Sequence, residues 1–192
     1  MNPRLKFIYS SLYYSNMFGH AISAKDAEMT KRKIARFEKR WKQVGEKILT
    51  ELSRVSKIRW AEKEIEVYVL PTKRINFSSP LTINAHLPIE DAIDVLTHEL
   101  IHRILGQSTR SKASWRGVTP LFRQYMKSEG LTVYVHILVH ALHEHIYRKI
   151  RGLARLRQDR AKCKHHKDYQ RAWEVVDELG YMSVIKAVRG KK

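Results

Sequence analysis

The sequence predicts an α+β chain: a small mixed or antiparallel sheet with an edge strand, packed on a central helix and followed by further helices. Three observations predict it. Apolar residues recur at three- and four-residue spacing from Ile34 to Leu52, two short stretches after residue 63 read as strands, and helical spacing returns after Pro88. With 192 residues, 43% of them hydrophobic, the chain is large enough to bury a core. We read it as one domain over 1–192, with a core over 58–150, an N-terminal helix over 24–56 and a basic helical segment over 151–192.

Each element has a local reason. Ser23 stands where an N-cap should, ahead of a helix from Ala24 to Ser56. Its buried stripe is Ile34, Phe37, Trp41, Val44, Ile48 and Leu52, and its opposite face is mostly Lys and Arg. Glu64-Ile65-Glu66-Val67-Tyr68-Val69-Leu70 alternates at period two and stops at Pro71, as a half-buried strand does. Phe77 to Pro80 makes a turn, and Leu81 to Leu87 forms a second strand near a sheet edge. Pro88 opens the next helix, with Glu90, Asp91 and Asp94 toward its positive end, and Gly106 closes it. A polar loop, Gln107 to Val118, leads to Thr119-Pro120, which starts a helix running to about Ile150. A basic stretch and a last helix from Asp168 to Leu179 complete the chain, followed by Gly180 and a short apolar tail.

Composition narrows the function classes. The single cysteine, Cys163, excludes an intrachain disulfide and a cysteine-built zinc site, and it suits a reducing, cytoplasmic setting. No stretch has the roughly 20 apolar residues of a membrane span, and polar residues interrupt the first 18 positions where a signal peptide would be apolar. The net charge is +18, from 37 Lys and Arg against 19 Asp and Glu. Such an excess points to a polyanionic partner. It concentrates in 31–42, with seven Lys and Arg against one Glu, and in 148–167, with nine against Asp159. Either segment suits contacts to nucleic-acid phosphates or another polyanion, and a solvated basic face is the plainer reading.

The chemistry lies in Thr97-His98-Glu99-Leu100-Ile101-His102-Arg103. Histidines four apart on a helix sit on one face, where both imidazoles can hold one Zn²⁺. Glu99 follows the first ligand and can act as general base toward a metal-activated water attacking a carbonyl. On these residues the chain resembles the zincin superfamily of zinc metallopeptidases. The resemblance covers Glu64 to Ile150 and implies a peptide laid along the edge strand, at Thr82, Ile83, Asn84 and Ala85. Arg103 departs from the pattern, in which the residue after the second histidine is usually uncharged.

A catalytic zinc takes a third protein ligand. Glu129, His136, His140 and His143 share one stripe of the following helix. Counted from Pro120 along an antiparallel helix, Glu129 lies about 13 Å in and His136 about 24 Å, against about 10 Å for His98 from the end of its own helix. This favours Glu129. The segment Ser128-Glu129-Gly130-Leu131-Thr132 also resembles that of the gluzincins, whose third ligand is glutamate, with Thr132 in place of alanine. His136 and His140 remain as the alternative ligand or as groups supporting the site, and Tyr134 and Tyr169 as candidates for steadying a tetrahedral intermediate. His143 and His145 read as surface residues. The expected function is zinc-dependent peptide hydrolysis by Glu-assisted attack of water, with one zinc per chain. Two alternatives stand beside it: a basic nucleic-acid-binding protein with structural zinc, and a protease resembling the SprT-like group, which acts on nucleic-acid-bound proteins and uses a third histidine.

Overall fold

A computed structural model describes residues 1–72, 76–107, 125 and 127–189. The fold is α+β. In chain order it contains β1 (Arg4–Ile8), α1 (Ser11–Phe18), α2 (Ala24–Ser56), β2 (Glu64–Leu70), β3 (Phe77–Ser78), β4 (Leu81–Asn84) and α3 (Ile89–Gln107). Then follow α4 (Leu131–Ile146), a π-helical turn (Tyr147–Arg151), α5 (Leu153–Lys162), a 3-10 turn (Cys163–His165), α6 (Lys167–Leu179) and α7 (Tyr181–Arg189). The described residues group into two compact units: Met1–Glu46 with Glu62–Arg103, and Lys47–Ala61 with Ile104–Lys192. No described helix is long and apolar enough to cross a membrane.

The first unit holds the sheet, in the order β1-β2-β4-β3. β1 and β4 run parallel to β2, and β3 runs antiparallel to β4. The inward faces of β2 and β4 (Ile65, Val67, Val69, Leu81, Ile83) are buried, as are Phe37 and Trp41 of α2 and Ile93 and Leu96 of α3. Alternation along β2 follows from period two: Glu64 and Glu66 face water, Ile65 and Val67 the core. Ser23 caps α2 as its position implied, its Oγ accepting from the Asp26 N–H at 3.0 Å. Trp41 lies across Gly45, where an added Cβ would come within 2.3 Å of the indole.

One expectation about the sheet changes. β4 is shorter than the anticipated Leu81–Leu87 and is not an edge. Thr82 is paired with Tyr68 on one side and Phe77 on the other. Asn84 N–H donates to the Asn76 side chain at 3.0 Å, and His86 N–H turns back to Asn84 Oδ1 at 2.8 Å. Leu81 and Thr82 thus have β3 on their outer flank, so the expected peptide-binding stretch, Thr82 to Ala85, begins inside the sheet. The outer strand is the two-residue β3.

The second unit is helical. α4 is buried on nearly every side from Val133 to Ile146, so it forms that unit's axis. Val175 and Val176 of α6 and Val184 and Ile185 of α7 are also buried in this unit. His143 and His145, read as surface residues, are buried here. His145 bonds to the Glu51 carboxylate at 2.5 Å, while His143 lies 3.7 Å from Asp159 and 4.5 Å, ring to ring, from Tyr147.

Candidate metal centre

The motif occupies the middle of α3, where helical spacing puts His98 and His102 on one face. Their Nε2 atoms are 3.1 Å apart. Two nitrogens bound to one tetrahedral zinc at about 2.05 Å would be separated by about 3.3 Å. The pair therefore already has nearly the bite that one ion requires. Both rings are partly accessible, whereas Leu100 and Ile101 between them are buried and anchor the helix.

Glu99 is half-buried, and burial pushes its carboxyl up to about 7 from an ordinary 4.5. A carboxyl balanced near neutrality can both take and return a proton. Arg103, the residue at odds with the zincin pattern, has a structural partner set. Its guanidinium grips Glu62, with Nε 2.8 Å from Oε2, and Nη1 donates to the Ser78 carbonyl at 2.9 Å. The charge thus ties the motif helix to β3.

In the helical unit, His136 is held on two sides. Its Nδ1 sits 2.8 Å from the Thr132 carbonyl, and its ring stacks on Tyr169 at 4.1 Å. An Nδ1–H donated to that carbonyl leaves the lone pair on Nε2, the tautomer a metal requires. Burial lowers the pKa of His136, favouring the neutral ring. One turn on, His140 stacks on Trp173 at 4.3 Å with the rings 12° from parallel.

His98 and His102 belong to the first unit and His136 to the second. Glu129, favoured on the sequence, pairs with Arg171, its two carboxylate oxygens 2.8 and 2.9 Å from Nε. Gly130, at φ 88°, precedes a helix start at Leu131. The expected start at Thr119-Pro120 lies outside the described residues. Tyr169 is a support for His136 that the sequence offered only as a loose candidate; His136, Thr132 and Tyr169 are brought together by the packing of α4 and α6. No known protein family, no curated protein and no solved structure matches the chain.

Proposed function

We propose that this protein is a zinc-dependent peptidase in which His98, His102 and His136 hold the metal and Glu99 moves the proton. The observation that carries the reading is the 3.1 Å separation of the His98 and His102 Nε2 atoms on one helix, with Glu99 adjoining the first; His136 is taken as third ligand because the Thr132 carbonyl at its Nδ1 leaves Nε2 free to bind. Three neutral imidazoles suit Zn²⁺ and leave one coordination position open. When bound, zinc supplies Lewis acidity and lowers the pKa of water.

The chain's own groups do the rest. Thr132 and Tyr169 orient the His136 ring. Glu99 accepts a proton from the water that attacks the substrate carbonyl and passes it to the leaving amine. Its half-buried position keeps its basicity near neutral. Arg103, through Glu62 and Ser78, fixes the helix that carries both histidines and the base. Three histidines are the set that the resemblance to the SprT-like group implies, and the charge of +18 agrees with substrates held on a polyanion. A cytoplasmic location belongs with this reading.

Metal analysis of the purified protein tests it. About one zinc per chain is expected, retained in Glu129→Ala and Glu99→Gln and lost in His136→Ala, a change well beyond the 10–100-fold typical of supporting residues. Peptide hydrolysis should disappear in Glu99→Gln while zinc stays bound. Zinc kept in His136→Ala but lost in Glu129→Ala would return the third ligand to the glutamate. A wild-type chain that takes up no zinc would end the proposal.

A further inference from the structure

A cavity of about 630 Å³ opens in the helical unit, lined by α5, the two irregular turns and α6. Its volume is that of a small-molecule site. Most of one wall is a single helical stripe, since Leu153, Leu156, Arg157, Arg160 and Lys164 recur at three- and four-residue spacing. Two leucines are followed along that stripe by three cations, so the wall matches a ligand that is itself part apolar and part anionic.

The cations fall into two kinds. Arg148 and Arg160 are committed: Arg148 Nε donates to the buried Glu144 at 2.8 Å, and Arg160 pairs with Asp177. The Arg160 guanidinium also lies over the Trp173 ring, 4.7 Å from its centroid. Arg157 and Lys164 are exposed and, among the described residues, have no carboxylate partner. The one carboxylate on the wall, Glu174, is bound by Arg171 at 3.2 Å. Two uncommitted positive charges beside an apolar floor of Leu156 and Trp173 balance the charge of about −1.5 to −2 on a phosphate monoester. The Arg160 guanidinium, which covers the buried Trp173 ring and is about a third exposed, is a planar group of the kind on which bases stack.

We propose that this cavity binds a nucleotide unit, its phosphate on Arg157 and Lys164 and its base against the Arg160 guanidinium. The ligand is either a free mononucleotide or one nucleotide of a single strand. A fatty acid fits less well, carrying one charge and needing a long apolar channel. The site is separate from the histidine group and stands whether or not zinc binds there.

The test is equilibrium binding of adenosine monophosphate, a single-stranded oligonucleotide of about ten nucleotides, and inorganic phosphate to the full chain. Measurements begin at about 20 mM salt, where the Debye length is roughly 20 Å, and continue upward. The variants are Arg157→Glu/Lys164→Glu and, as a control of equal charge, Lys47→Glu/Lys63→Glu at exposed positions outside the cavity. The cavity pair should weaken adenosine monophosphate by about tenfold or more and flatten the salt slope by about two, the control pair by less than about twofold. An oligonucleotide bound far more tightly than the mononucleotide assigns the cavity to a strand, and equal affinity assigns it to the free nucleotide. Three results would overturn the proposal: no nucleotide binding at low salt, equal losses in both variant pairs, or phosphate binding as tightly as the nucleotide. Retained helical circular dichroism in both double variants shows that any loss is not unfolding.

Discussion

Glu51 offers a direct measure of how much a buried polar contact stabilises the helical unit. Arg54 Nε donates to its carboxylate at 2.7 Å, and His145 approaches the other oxygen at 2.5 Å. These partners hold the carboxyl at about 2 against an ordinary 4.5, chiefly through Arg54, with His145 adding to it against the opposing pull of burial. A displacement of 2.5 corresponds to about 3 kcal/mol at 1.36 kcal/mol for each pKa step. Arg54 is more than half exposed, so solvent screening reduces this to about 2 kcal/mol. Because the folded pKa lies below the unfolded one, this stability is complete above about 4.5 and fades as the pH falls toward 2. Glu51→Gln should therefore lose about 2 kcal/mol at pH 7, a fall of roughly 4–8 °C in Tm for a chain of this size. Urea titrations of both proteins between pH 7 and about pH 2 measure the gap, which should narrow steadily below about 4.5. A gap that stays constant down to pH 2 would refute the electrostatic origin and assign the loss to packing.

Three other perturbations have defined outcomes. Arg103→Lys loses the forked grip on Glu62 and the bond to Ser78, and should lower stability by about 1–2 kcal/mol in a thermal melt; an unchanged melt would show that the Glu62 grip contributes nothing. Gly45→Ala drives a methyl to within 2.3 Å of the Trp41 ring. The crowding costs about 1–3 kcal/mol and outweighs the gain of about 1 kcal/mol in helix propensity, so a Tm at or above wild type contradicts the close packing. Burial pushes the Cys163 thiol up to about 11, which leaves about a thousandth of it as thiolate at pH 8. A thiol reagent should label the native chain about 100-fold more slowly than the denatured one, and equal rates would contradict the buried setting.

Elements with a strong local signal were legible in the sequence. The cap at Ser23, the stripe from Phe37 to Leu52 and the alternation from Glu64 to Leu70 each rest on neighbours within a few residues, and α2 and β2 have the bounds those signals set. What escaped depends on distant pairing. Arg4–Ile8 is only five residues long and becomes a strand by adding to β2, sixty positions away. The interior place of β4 hangs on two residues, Phe77 and Ser78. His98, Glu99 and His102 were readable because one helix carries all three. The third ligand was ranked by a count from Pro120, and Gly130, whose positive φ precedes a helix start at Leu131, interrupts that count. The burial of His143 and His145 had a signal that went unused: apolar residues at 137–139, 141, 142 and 146 surround the helix on every side.

Trp173 gives the protein an internal optical probe. One face of its indole meets His140 at 4.3 Å, and the guanidinium of Arg160 lies over the ring at 4.7 Å. Indole emission is sensitive to the charge and distance of groups stacked against it. Any event that moves Arg160, or that protonates or rotates His140, therefore changes the fluorescence of this one tryptophan. Subtracting the spectrum of Trp173→Phe isolates its signal from the other three indoles. Because Trp173 lines the cavity and stacks on a ring one turn from His136, a single emission trace records events at the cavity and along the histidine stripe without an added label.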